Sequence, residues 1–348
     1  MLDQITEILD KARFRYFFRP SHRTLWDEVL QELPFIPVYY TNASIDYQLE
    51  YQQGQGGEWH DISLIIANEG VPIALWPLSY SMSNGLSQLT SHGLGVLPPI
   101  FMEECSFRSR KKITIQCLEF ANRLAEKLLV GPWSSVEYCN DEIGLSPWHL
   151  ASMKRGGLCR MQHALYVDLR MNMVDIKSRF RERYRSLITA GQRLWQVNVL
   201  AQPGDNDVWQ EFRGLHLTVS GRVTRSEATW TLQHEEIRQG RAILVTLRDR
   251  DGRLVGGGLF NFTRDEGVYS VGAYDRTLFH KPLAHTAQFR AIQEMQKRDI
   301  KWYKIGIRYF DTGTPKPTAK EISISQFKDG FATHVFPIYN IVHAVPSA

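Results

Sequence analysis

Near the end of the chain, the segment KEISISQFKDGF (320–331) sets Lys320 and Glu321 at one end and Phe327-Lys328 at the other. An ammonium at Lys328 can rest on a carbonyl oxygen or a phosphate, and a carboxylate at Glu321 can take a proton or orient the lysine. The same letters also read as a solvated helix, with an acid in its first turn and a base in its last. Upstream, Gly272 in YSVGAYD and Gly306 in YKIGIRY interrupt apolar alternation. Interior strand glycines mark a bulge or a close backbone approach. Tyr274 and Arg308 follow those glycines by two residues, so each shares its glycine's face of a strand; packing glycines with an exposed arginine are the plainer reading. His285 in LAHTAQF titrates near neutrality and suits a base, or a helix cap. Arg222 and Arg225 in SGRVTRSE put two guanidinium groups in one loop, which clamps phosphate or carboxylate or simply faces solvent.

These residues need a frame, and the hydrophobic pattern supplies one. Leu2, Ile5, Ile8 and Leu9 recur at helical spacing, as do Trp26, Val29 and Leu30, before Pro34 and Pro37 break the chain. Residues 59–80 read as a β-hairpin turning at Asn68-Glu69-Gly70, with a further turn at Ser83-Asn84-Gly85 leading to a short strand. A helix over 111–129 and a strand over 134–140 follow. The second half repeats this order: a strand pair over 242–262, a strand over 267–275, a helix over 282–299 and a strand over 302–310. Between the halves lie a strand at 163–170, a basic helix over 174–190 closed by Gly191, and a helix over 206–217. A last strand falls near 334–342. The pattern predicts α+β domains, each a mixed, mostly antiparallel sheet flanked by helices. The boundary is placed near Gly156-Gly157, giving domains 1–158 and 159–348.

Composition narrows the class. A chain of 348 residues is comfortable for two domains, and 43% hydrophobic with 22% charged residues is ordinary for a globular protein. A net charge of +4 admits anionic ligands but lacks the dense basic stripe of a dedicated DNA binder. The basic helix 177–193 either meets a tRNA backbone or a sugar nucleotide's diphosphate, or is a solvated face. Cys105, Cys117, Cys139 and Cys159 form no CxxC or CxxH pair, so no metal is expected, and scattered thiols suit a reducing, cytoplasmic setting. The first residues read as no signal peptide, and no apolar run is long enough for an integral membrane segment.

Several stretches then resemble one family. FRERYRSLITAGQR, LHLTVSGRVTRSEATW, LVTLRDRDGRLVGGGLF, YSVGAYDR, LAHTAQFRAIQEM, WYKIGIRYF and KEISISQFKDGF succeed one another over 160–345 as they do in the Fem-type (FemAB-like) transferases. That resemblance implies two tandem GNAT-like domains, the first diverged. It implies transfer of an acyl or aminoacyl group to an amine, from acyl-CoA or aminoacyl-tRNA as co-substrate, with no permanently bound cofactor. It also implies that neighbouring strands splay to receive a substrate, and that Phe327-Lys328 stands at the active end of the second domain. GNAT domains carry a glycine-containing loop before the crossover helix that holds the CoA pyrophosphate. Here that place reads DRTLFHKPLAH (275–285), with no glycine.

Amide formation from an ester or thioester needs an aimed neutral amine, a base and an oxyanion donor. In this frame Lys328 is the electrostatic stabiliser, Glu321 or His285 the base, and Tyr274 and Arg308 the substrate positioners. Arg222 and Arg225 are the anion clamps, with Lys320 and Phe327 beside the substrate. The site is expected at the junction of the domains, mostly on the second. The expected acceptor is a small-molecule amine or sugar nucleotide of cell-envelope synthesis. The alternatives are an aminoacyl-tRNA-dependent transferase acting on a peptidoglycan-type precursor, and a non-catalytic sugar-nucleotide or anion-binding module.

Overall fold

A computed structural model describes residues 2–11, 14–83, 85–142 and 144–344. The chain forms two compact units, 1–162 with 337–348, and 163–336.

The first unit opens with α1 (Leu2–Asp10), β1 (Arg15–Phe18), α2 (Arg23–Gln31) and α3 (Asn42–Gln53). β2 (Glu58–Asp61) precedes the hairpin of β3 (Leu64–Asn68) and β4 (Val71–Trp76). β5 (Ser79–Ser83), β6 (Leu86–Thr90) and the short β7 (Ile100–Phe101) lead to α4 (Phe107–Lys127), β8 (Trp133–Tyr138) and α5 (Pro147–Lys154). The hairpin expected over 59–80 is present, but β5 leaves its sheet and pairs with β2 and β6. Asn84 of the expected second turn lies outside the described residues. Ile113, Leu118, Ala121 and Leu124 of α4 pack against Leu64, Trp76 and Trp133 in the core.

The second unit takes up β9 (Leu158–Asp168) at His163 and continues with α6 (Met173–Arg179), α7 (Glu182–Leu194) and β10 (Gln196–Leu200). Then come α8 (Asn206–Ser220), α9 (Glu227–Arg238), β11 (Ala242–Arg248), β12 (Leu254–Phe262) and β13 (Glu266–Tyr274). α10 (Leu283–Gln296), β14 (Trp302–Arg308), α11 (Ala319–Asp329) and β15 (His334–His343) complete the chain. β10 to β13 form an antiparallel meander, and β14 pairs with β9. β15 pairs with β8 through Ile338–His343, within the first unit. Hairpin, strand, helix and strand thus occur in both units.

Alternate residues of β11 to β13 feed two cores. Ile243, Val245, Phe260 and Tyr274 face α7 and α10, while Leu244, Leu259, Val271 and Ala273 face α8 and α9, where Trp209, Phe212 and Trp230 pack.

The expected single helix over 174–190 is two helices. Phe180 sinks between Phe289 and Phe331, and the Arg181 N–H donates to Gly330 O at 2.8 Å, which pulls the backbone out of helical conformation. Gly191 does not close that helix either. It lies inside α7, where a Cβ would overlap Thr286 and stand 2.9 Å from Pro282 O, so this glycine lets α7 press on the start of α10. α8 runs on to Ser220 and is closed by Gly221 at φ 69°, and Trp230 belongs to a helix absent from the sequence reading.

Candidate functional site

β13 and β14 are parallel neighbours for only three residue pairs, Glu266–Trp302, Gly267–Tyr303 and Val268–Lys304. Beyond them β13 runs on to Tyr274 and β14 to Arg308 with no pairing between the two, so the strands part. The register of β14 against β9 shifts between Lys304 and Gly306, which accommodates the divergence. This is the splay that the resemblance implied.

Lys328 reaches this opening from the last turn of α11. Its side chain lies over Gly306, whose missing Cβ would otherwise stand 2.6 Å from Lys328 Cδ and 2.9 Å from Nζ. The ammonium sits 5.4 Å from the centroid of the Tyr269 ring. Among the described residues no carboxylate or hydrogen-bond acceptor pairs with it. Burial therefore lowers its pKa below that of ordinary lysine. An unpaired ammonium over an opening between strands is equipped to meet an anion or a developing oxyanion.

Arg308 holds that lysine's helix. Its Nε donates to Asp329 Oδ1 at 2.9 Å, and Nη2 donates to the same oxygen. Arg181 contributes from the other side, its Nη2 donating to Gln326 O at 3.0 Å. Arg308 thus braces the end of α11 beside Lys328. Tyr274 does not project into open space. It is 9% exposed, packs over Gly256, and its hydroxyl lies 3.4 Å from that of Tyr269.

The remaining sequence candidates fall elsewhere. Glu321 closes a capping box with Thr318, accepting from Thr318 N at 2.7 Å and Oγ1 at 2.8 Å, and those bonds lower its pKa. It lies seven residues from Lys328, about 10 Å along the helix. Lys320 is exposed in the same first turn. His285 is wedged among Tyr184, Phe327 and Phe331, with ring centroids at 4.5, 5.0 and 6.1 Å. Burial, with Arg183 and Arg181 nearby, pushes its pKa down to about 4, a weak base for neutral pH. Phe327 belongs to that aromatic cluster, and its carbonyl accepts from Tyr184 Oη at 3.0 Å. Arg225 lies over Trp230, 5.5 Å from the ring centroid, and its Nη1 is 3.1 Å from His216 Nε2. Trp230 belongs to the core on the far side of the sheet from Tyr274, so Arg225 and the exposed Arg222 of the same loop are not gathered with Lys328.

Sequence reasoning missed Tyr269, Gln288, Tyr303 and Asp329. Period-two alternation sends Tyr269 to the face opposite Gly272. The bulge at Ser270, where Leu259 opposes Val271 and Phe260 opposes Tyr269, reverses that parity. The Tyr269 hydroxyl consequently fills the space where Gly272 lacks a side chain.

The start of α10 does not fit a CoA pyrophosphate. The residue preceding its first turn is Pro282, which has no N–H, and Leu283 N–H is already bonded to Lys281 O at 2.9 Å. Gly191 brings α7 directly against Pro282 and Thr286. Among the described residues no cluster of His, Cys, Asp and Glu could hold a metal ion, and no helix is long and apolar enough to cross a membrane.

No family model matches the sequence, and neither does any curated protein. Solved structures do match. FemX aligns over 91% of this chain and 95% of its own, at 12% identity and a TM-score of 0.64. The C-terminal domain of a putative lysylphosphatidylglycerol synthetase from Agrobacterium fabrum aligns over 97% of this chain and 92% of its own, at 13% identity and 0.57. L-PGS from Bacillus licheniformis aligns over 87% and 92%, at 12% identity and 0.53. At such identities the likeness is one of fold, and the chain has the fold of FemX and of these two proteins.

Proposed function

We propose that the protein is an acyltransferase that joins an activated acyl group to an amine by direct attack, at the opening between β13 and β14. The observation that carries this reading is the Lys328 ammonium, unpaired and half-buried over Gly306 beside that opening. There it stabilises the oxyanion formed when the amine adds to the carbonyl. Arg308 and Asp329 keep it in place. The acceptor is an amino sugar or another amine of a cell-envelope precursor.

A second reading concerns the donor. The glycine-free loop, Pro282 and the close seat of Gly191 speak against CoA on this unit and favour an aminoacyl ester such as aminoacyl-tRNA. The name of one neighbour, a putative lysylphosphatidylglycerol synthetase, is in keeping with an aminoacyl group.

The test supplies the protein with a panel of acyl-CoAs and amino sugars, following thiol release, and in parallel with aminoacyl-tRNA and the same acceptors, following the labelled amino acid. Product in the first arm supports the thioester donor, and product in the second supports the aminoacyl ester. Binding of a sugar nucleotide with no product in either arm would replace catalysis with the non-catalytic module.

A further inference from the structure

Lys304 stands at the last row where β13 and β14 pair, and at the last row before β14 shifts against β9. That row carries a buried ion pair. Lys304 Nζ lies 3.3 Å from Glu266 Oε1, with the two side chains 7% and 2% exposed. Tyr166, the β9 residue opposite Lys304, donates its hydroxyl to the same Glu266 oxygen at 3.3 Å. Around Tyr166 lie Trp302 and Phe336, with ring centroids at 5.9 and 5.5 Å. One ion pair and its tyrosine thus tie three strands together in apolar surroundings. Such a pair is a poor source of stability, because desolvation offsets most of the attraction and apolar residues of the same bulk would hold the fold as well. What the charges add is intolerance of any other register. A slip of one residue carries Lys304 about 3.3 Å along the sheet and turns it to the opposite face. That face is the core of Leu165, Ile305 and Phe331, and Glu266 would be left a bare buried carboxylate.

The next row decides where Gly306 points. The register passes over Ile305, and Gly306 pairs with Leu165 directly after the Lys304–Tyr166 pair. Cross-strand partners share a face, so this extra residue turns Gly306 to the side of Leu165, where Lys328 lies over it. In unbulged pairing Gly306 would share the face of Lys304, and the side chain of Ile307 would come round beneath the ammonium. We propose that Lys304, Glu266 and Tyr166 are positioning residues, a register lock that sets the bulge at Ile305 and so presents the bare backbone of Gly306 to Lys328. The consequence of the lock for turnover rests on the acyl-transfer reading above; its consequence for the place of Lys328 does not.

Lys304→Met combined with Glu266→Gln removes both charges, keeps most of their bulk and leaves Tyr166 an acceptor. The double variant should melt within a few degrees of the parent, yet its kcat should fall about 100-fold at nearly unchanged KM, as for a misplacement of about 1 Å at the reacting centre. A second readout needs no substrate. The Lys328 13Cε resonance, assigned by its loss in Lys328→Met, feels the Tyr269 ring beside the ammonium and should move in the double variant. Tyr166→Phe removes one hydroxyl and no charge, so it should move that resonance the same way and less, and it decides the question if the double variant does not fold. A folded double variant with the parent's turnover, or a Lys328 resonance unmoved in whichever variants fold, overturns the lock and leaves acyl transfer standing. A parent protein that transfers nothing from any donor overturns the functional reading alone, and the resonance still decides the register.

Discussion

The Lys328 side chain lies across Gly306, so close that one added methyl group would meet its Cδ at 2.6 Å and its Nζ at 2.9 Å. The glycine stands at φ 159°, a conformation that residues with a side chain rarely adopt, so it provides both room and a backbone that suits glycine. Gly306→Ala should therefore lower the midpoint of thermal unfolding and, in the protein that stays folded, push the ammonium from its seat. A displacement of about 1 Å at a reacting centre costs up to about 100-fold. Steady-state kinetics of the folded variant decide the matter, and unchanged turnover would show that the lysine's place is immaterial.

Lys328→Met separates charge from bulk. Loss of an oxyanion-stabilising group costs about 100- to 1,000-fold in kcat. The unpaired, partly buried ammonium does not help the fold, so this variant should unfold at the same denaturant concentration as the parent or higher. Lower stability with intact turnover would make Lys328 a structural residue.

The lysine also sets a sign for pH. Its pKa is lowered by burial, so the ammonium is lost at a lower pH than from an ordinary lysine at 10.5. Activity that depends on the charged form should fall on the alkaline side before that value, and Lys328→Arg should move the limb upward. Stability runs the other way, because the folded chain gives up this proton more readily than the unfolded chain. The fold gains as pH rises from the folded pKa to 10.5. A pH–kcat profile of the two proteins checks the first part.

Arg308 acts through Asp329, and neither needs to touch a substrate. Because the pair is about 30% exposed on each side, its removal should cost about 0.2–1 kcal/mol of stability. Arg308→Ala and Asp329→Ala should each lower kcat, and the double variant should be little worse than either single, since both release the same end of α11. Additive losses would mean that Arg308 binds substrate independently.

Much of this frame was legible from the letters. The helix carrying His285 and the flanking strands were set by apolar spacing, with Ala287, Ile292 and Met295 all buried as that spacing requires. Gly272 and Gly306 pointed to an opening because strand glycines cost stability without a reason for closeness. What failed was whatever a distant contact decides. Gly191 at the end of a helical pattern looked like a terminator, and only the partner helix shows it to be a packing surface. Tyr269 was hidden by a one-residue bulge, and Arg308 found Asp329 through folding across a turn and a helix that no periodicity encodes.

Glu137 gives the first unit its own pH dependence. It is 2% exposed on β8, its Oε1 accepts from Ser146 N at 2.7 Å, and among the described residues its Oε2 has no partner at hydrogen-bonding geometry. Burial raises its pKa from 4.5 to about 7. The folded state therefore holds this proton where the unfolded chain has released it. The fold is at full strength below about pH 4.5 with respect to this group, weakens as pH rises to about 7, and levels off above. Glu137→Gln keeps an acceptor for Ser146 and abolishes the buried charge, so at pH 8 it should stabilise the protein by on the order of 2–3 kcal/mol at most, and at pH 4.5 by nearly nothing. Chemical denaturation at both pH values measures the difference. Equal effects at the two would place the carboxyl proton elsewhere and leave Glu137 an ordinary ionised acid on β8.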